Sequence, residues 1–387
     1  METRKLYYEN CHLRSFSAQV TGCTETEKGF EILLDATAFY PEGGGQACDL
    51  GVLGDAKVLD VREDGEQVVH LCDKPLAVGE TVNGQIDWDR RFDLMQQHAG
   101  EHIVSGIIHR MFGYHNVGFH VGKGLMEVDF DGPIPADALA KIEREANEAV
   151  WANVPLRCWI PGPEELPQVF YRTKRPLPWP VRIVEIPGYD SCACCGIHVG
   201  MTGEIGLIKI ISCTKFHGGV RLEMLCGARA YDYMARIFEE NRQVSQAFSA
   251  KMPETGAAAR KMNEALTAEK FRANALEKKL FAQIAECYVN HRNVLLIRSD
   301  LTGTGVRDLS EAIASVCGGT AAVLSGSGDN YNVCLVNKHG EVKELGQAMN
   351  KTLNGRGRGK PGIFQGSVKA DQAKIEAFFK GIGFCEV

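Results

Sequence analysis

"DWDRRFDLMQQHAGEHIVSGIIHRMF", residues 87–112, is where the chain changes its period. Leu94, Ile103, Ile107 and Met111 mark an apolar stripe at helical spacing, and Gly113 is a natural stop. The chain before it has a different rhythm. "FEILLDATAFYPEGGGQACDLGVL" (30–53), "AKVLDVRED" (56–64) and "QVVHLCDKPL" (67–76) alternate apolar and polar residues with frequent glycine. That pattern predicts short strands joined by tight turns, a small β-barrel over residues 1–88. Beyond the helix, "GLMEVDF" (124–130) resumes strand character, and "PADALAKIEREANEAVWAN" (135–153) predicts a helix opened by proline. "IGLIKIIS" (205–212) and "VRLEMLCG" (220–227) read as paired strands, so residues 89–230 complete an α+β unit.

From about 228 to 288 the chain is helix-compatible throughout, broken only near Pro253 and Gly256. Met262, Leu266, Ala273, Leu276 and Leu280 recur near heptad spacing. A helical hairpin or a dimerising coiled coil over 231–289 fits this, and so does a long helix packed on its own domain. Residues 290–387 alternate "NVLLIRSD", "VRDLSEAIASVC", "TAAVLSGS", "YNVCLVNK" and "DQAKIEAFFKGIG". That order, strand–helix–strand–strand–helix, predicts a small C-terminal α/β domain.

The 387 residues suit two or three domains, and 44% hydrophobic with 24% charged residues is ordinary for a soluble globular protein. The start lacks the apolar core of a signal peptide, and no apolar run approaches the ~20 residues of a membrane span. Fourteen cysteines without secretory features read as reduced thiols in a cytoplasmic protein, some of them metal ligands. A net charge of −6 excludes a surface coated in positive charge, although a local basic patch can still meet nucleic acid.

His98 and His102 lie one helical turn apart, so both imidazoles can reach one ion. About ninety residues on, "DSCACCGIHVG" (190–200) sets Cys192, Cys194 and Cys195 ahead of His198. Three imidazoles and one thiolate make a sensible zinc site; spacing alone leaves open which sulfur joins it. His98 to His102 also spells H-x-x-E-H, the inverted zinc-peptidase signature, with Glu101 as base. That alternative needs a further carboxylate from Glu143, Glu145 or Glu148.

Four stretches occur in order: "TAFYPEGGGQACDLG" (37–51), "QQHAGEHIVSG" (96–106), "NVGFHVG" (116–122) and "CCGIHVGMTGEIG" (194–206). Together they resemble the editing domain of alanyl-tRNA synthetases and its freestanding relatives, the AlaX alanyl-tRNA editing proteins. The resemblance implies one Zn2+ per chain, held by His98, His102, Cys194 and His198, with 89–230 as the editing domain. "TGEIG" fixes the register, which puts Cys195 where relatives usually carry glycine. "NGRGRGKPGIFQGS" (354–367) is similar to the glycine-rich signature of the synthetases' C-terminal domain, which contacts tRNA and can mediate dimerisation.

The implied function is a trans-editing hydrolase. Its substrate is alanine-specific tRNA charged with serine or glycine, and the bond cut is the aminoacyl ester. No membrane partner is expected, and a homodimer through the helical and C-terminal regions is. A tRNA-binding protein with a structural zinc is the competing reading. Among catalytic candidates, Glu101 is a possible general base, Gln46 offers an amide, and Thr37 can sense a serine hydroxyl. Gly43, Gly44 and Gly45 would admit the terminal adenosine or amino acid, and Phe119 and His120 would line the pocket. Arg356, Arg358 and Lys360, read as a loop, would touch tRNA phosphates. "YRTKRPLPWP" (171–180) reads as a linker over the surface.

Overall fold

The computed structural model describes residues 2–122, 124–173 and 177–386. The chain divides into two compact units, Met1–Arg242 and Gln243–Val387.

In the first unit, strands Ser15–Thr26, Gly29–Leu34, Gln67–Cys72, Ala56–Asp64, Gly51–Leu53 and Thr81–Ile86 close, in that spatial order, into a barrel. Alternation explains the interior: Val20, Ile32, Val58, Val61, Val68 and Val82 point inward and are buried. The helix Trp88–Phe112 follows directly. Asp87 caps it by accepting the Arg90 N–H at 3.2 Å, and Gly113, at φ 75°, ends it by donating to the His109 carbonyl. Burial exceeds the expected stripe, because every residue from Leu94 to Ile108 is buried.

Besides a short parallel pair, Arg4–Lys5 with Ala36–Thr37, this unit also holds two antiparallel sheets. One runs in the order Ile208–Phe216, Gly219–Cys226, Met126–Phe130, Asn116–Val121; the other runs Arg157–Trp159, Ile183–Ile186, Asp190–Ala193. The helix Ala136–Ala152 shares its core with the first sheet and the long helix through Ile142, Ala146, Ile103, Ile107, Met126 and Leu222. The two buried glutamines on the long helix are tied to backbone. Gln97, for example, exchanges two hydrogen bonds of 2.9 Å with the Cys226 backbone.

The helix Gly227–Ala247 runs across the boundary between the units. In the second unit a turn at Met252–Glu254 precedes the helix Thr255–Glu286, so the break falls at Pro253 as expected. Met262, Leu266, Leu276 and Leu280 are exposed along it. A six-stranded mixed sheet follows, in the order Arg356–Lys360, Ile363–Lys369, Asn330–Val336, Ala321–Ser327, Val294–Arg298, Cys385–Glu386. One core joins it to the helix Gly303–Ala314, and a second to the helices Lys343–Thr352 and Gln372–Gly381.

The loop expected around Arg356, Arg358 and Lys360 is instead the outer strand of an antiparallel hairpin, with all three residues exposed. Its glycines serve packing: a Cβ on Gly357 would lie 2.5 Å from the Phe364 ring. The helix Lys343–Thr352 was not anticipated from the sequence either. Among the described residues, no helix is long and apolar enough to cross a membrane.

Candidate metal centre and active site

The long helix brings His98 and His102 to one buried face, and the loop after the strand Asp190–Ala193 brings Cys194 and His198 to meet them. One ligand atom from each of the four lies within 4.8 Å of the others. The ring centroids of His198 stand 4.4 Å from His98 and 4.6 Å from His102. Gly196 makes room for this, since a Cβ there would lie 2.2 Å from the His98 ring.

Both helix histidines are oriented from behind. His98 Nδ1 donates to Gln46 Oε1 at 2.8 Å, and the Ile197 N–H donates to the same oxygen at 3.2 Å. This leaves His98 Nε2 facing Cys194 Sγ, 3.5 Å away. His102 Nδ1 donates to Asp190 Oδ2 at 3.0 Å, while Arg172 grips the same carboxylate at 2.6 and 2.9 Å. A carboxylate or amide behind each imidazole, with the other nitrogen turned inward, is how metal-binding histidines are prepared.

The donor set fits a cation. Both ring nitrogens of His198 are buried with no hydrogen-bond partner in the protein, a costly arrangement that a metal ion would relieve. Burial opposes ionisation of Cys194, yet the His98 and His102 charges outweigh it and hold the thiol well below its ordinary range. Burial likewise disfavours charge on His102, but Cys194 and Asp190 carry its pKa well above the usual value. Burial and the neighbouring His98 push His198 well down, toward the neutral form that ligates.

A cavity of about 340 Å³ opens against this cluster, walled in part by Gly44, Glu101, Asn116, Phe119, Arg172 and Leu177. Glu101 is buried; its Oε1 accepts from Asn116 Nδ2 at 2.6 Å and from the Ser105 hydroxyl. Its Oε2 stands 4.0 Å from His102 Nε2. Phe119 stacks on His98, with centroids 5.1 Å apart. The turn Gly43–Gln46 is closed by two backbone hydrogen bonds, and Gly44 meets the cavity beside Cys195. Gly45, at φ 82°, sits so close to Phe119 that a Cβ would come within 2.5 Å of its ring.

Several residues expected at the site are not among those lining the cavity. Thr37 lies wholly buried on the barrel side, its hydroxyl 2.8 Å from His70 Nε2 and accepting the Phe39 N–H at 3.1 Å, and it is not among the residues lining the cavity. Gln46 is engaged behind His98 through its oxygen, while its buried Nε2 has no hydrogen-bond partner in the protein; it is not among the residues lining the cavity. His120 is exposed and paired in register with Glu127, away from the cavity. Arg356, Arg358 and Lys360 belong to the second unit and do not line this cavity.

The peptidase alternative loses its carboxylate. Glu143 is held by Lys209 and the Ile210 N–H, each at 2.7 Å, Glu145 pairs with Arg110, and Glu148 with Arg144. In the stretch 171–180, Lys174, Arg175 and Pro176 lie outside the described residues. Arg172, however, is no surface linker: its side chain is 10% exposed and locked on Asp190.

Sequence reasoning missed Asp190, Arg172, Asn116 and Arg182, the last of which holds the Cys194 and Gly196 carbonyls at 2.9 and 2.7 Å. Asp190 opens the very stretch that holds Cys194, so a search for a carboxylate behind the second histidine would have found it.

Residues 2–90 match the family described as tRNA synthetases class II (A). Residues 181–222 match the threonyl and alanyl tRNA synthetase second additional domain. The alanyl-tRNA editing protein Aarsd1-A of Xenopus laevis is 29% identical over 385 residues, covering 96% of this chain and 93% of that protein. Mouse Aarsd1 is 28% identical, with 96% of each chain covered. The alanine–tRNA ligase of Ignicoccus hospitalis is 36% identical over 260 residues, but the chain spans only 28% of that ligase. A solved C-Ala domain of Aquifex aeolicus alanyl-tRNA synthetase, 21% identical, covers 23% of this chain and 86% of its own at a TM-score of 0.22.

Proposed function

We propose that this chain, which belongs with the AlaX-like alanyl-tRNA editing proteins, hydrolyses the ester of alanine-specific tRNA mischarged with serine or glycine. The observation that carries the reading is the cavity that joins the His98, His102, Cys194 and His198 cluster to the buried Glu101 carboxylate. A zinc ion held by those four side chains would supply positive charge beside the ester and fix the walls of the cavity. With all four protein donors engaged, no position would remain for a metal-bound water, and proton transfer is assigned to the protein.

Glu101 is the group for it. Ser105 and Asn116 fix one of its oxygens, leaving the other to orient water and take its proton as the oxygen adds to the ester carbonyl. The same carboxyl then returns the proton to the departing ribose oxygen. Phe119 and Leu177 narrow the cavity and limit access of bulk water. The backbone at Gly44 lets the ester approach closely.

The exposed basic strand Arg356–Lys360 supports phosphate contact with tRNA, and the exposed stripe from Met262 to Leu280 supports a homodimer. Free cysteines throughout suit the cytoplasm. The deciding experiment is deacylation of serine-charged and alanine-charged tRNA(Ala) before and after chelation. Faster loss of serine, abolished by chelation and restored by zinc, is expected. Zinc retention and tRNA binding without deacylation would instead mark a structural metal.

A further inference from the structure

With Thr37 turned toward His70, the serine hydroxyl needs another partner, and the cavity wall holds one. Asn116 lines the cavity and is only 8% exposed. Its Nδ2 donates to Glu101 Oε1. Because a carboxylate oxygen accepts, the amide can present only its NH2 there, and this fixes which way Oδ1 points. That Oδ1 is buried and has no hydrogen-bond partner in the protein. Buried acceptors are almost always paired, so an orphan on a residue that lines a substrate cavity asks for a donor from the substrate.

The backbone is bent to put it there. Gly118 pairs with Asp129, but Asn116 pairs with Phe130, so Val117 is an extra residue, a β-bulge. In a regular strand Val117 and Phe119 would share a face, with Asn116 on the other. The bulge turns Val117 outward, 59% exposed, and brings Asn116 onto the cavity wall with Phe119.

We infer that Asn116 Oδ1 is the specificity-determining acceptor for a hydroxyl on the amino-acid moiety of the ester, favouring seryl over glycyl and alanyl esters. This rests on the proposed editing reaction. The α-ammonium is common to all three amino acids, so contact with it would not discriminate; only the seryl O–H offers a donor that the others lack. A site whose buried polar group is satisfied by one substrate alone rejects the rest.

Asn116→Leu removes the acceptor at similar volume, and Asn116→Thr keeps an oxygen that can accept. Single-turnover deacylation of serine-, glycine- and alanine-charged tRNA(Ala) is measured for both variants and the unaltered protein, with zinc content followed in parallel. The expected result for Asn116→Leu is a seryl-to-glycyl rate ratio lowered by about tenfold or more at unchanged zinc content. Asn116→Thr should recover part of that ratio, and it keeps the test alive if the leucine variant does not fold. Equal losses on all three esters would mean that Asn116 acts only through Glu101, and would overturn the inference while leaving the editing reaction standing. An unaltered, zinc-loaded protein inactive on every ester would overturn the reaction itself.

Discussion

Replacing Asp190 by leucine separates two things that one carboxylate does. It keeps volume and removes the acceptor shared by Arg172 and His102. The Asp190 side chain is 1% exposed and that of Arg172 10%, so the guanidinium is left nearly dry and unpaired. Breaking one side of such a pair costs about 3–5 kcal/mol, and the small exposure of Arg172 favours the lower end. The orphaned His102 N–H adds about 1–3 kcal/mol. With its orienting partner gone, His102 should also lose zinc affinity by about 10–100-fold, roughly 1.4–2.7 kcal/mol.

The double variant Arg172→Met/Asp190→Leu tells these apart, because it removes the stranded charge and should return about 3 kcal/mol of stability without restoring zinc affinity. Stability is read by tryptophan fluorescence in urea with a chelator present, so that bound zinc does not add its own stabilisation. All four tryptophans, at 88, 151, 159 and 179, lie in the first unit, so the signal reports that unit alone. Zinc affinity is read by competition with a chromophoric chelator. Wild-type affinity in Asp190→Leu, or full recovery of affinity in the double variant, would refute the orienting role.

Three further outcomes are expected. Of the serine variants of Cys192, Cys194 and Cys195, only Cys194→Ser should lose zinc, as measured by elemental analysis; loss from Cys195→Ser instead would mean the ligand register is off by one. Changing Arg356, Arg358 and Lys360 together to glutamine should weaken tRNA binding and flatten its logarithmic salt dependence by about 1 per lost phosphate contact, and an unchanged slope would remove the strand from the interface. Burial pulls the pKa of His70 down to about 4, partly opposed by the Ile32 carbonyl. The unfolded chain therefore takes up a proton that the barrel refuses: this stability is full above the unfolded value near 6.5 and declines as pH falls toward 4. The decline amounts to roughly 2 kcal/mol at pH 5. Urea midpoints at pH 7 and 5 should converge in His70→Gln, and an equal pH response in both proteins would place the titration elsewhere.

The local rules of the chain were legible without any coordinates. The period change at residue 87, the end at Gly113, the break at Pro253 and the paired strands before Cys226 all follow from spacing, glycine and proline acting within a few residues. His98 and His102 share a face for the same reason, and the family likeness supplied Cys194 and His198 as their companions. Glycine-rich sequence misled at 354–367, because the absent side chains there accommodate Phe364 and do not loosen the backbone.

What tertiary structure decided is which atom of each residue is free. His98 meets Gln46 across 52 positions and His102 meets Asp190 across 88, so only folding determines which ring nitrogen turns toward the site. The same holds for Thr37, whose hydroxyl is consumed by His70 across 33 positions of the barrel. It holds for Asn116, turned to the cavity by one extra residue whose effect depends on the partner strand it is paired against. Periodicity fixes a side chain's direction only relative to its own helix or strand. A hydrogen bond also needs the position and twist of the neighbouring element, which depend on packing of the whole unit.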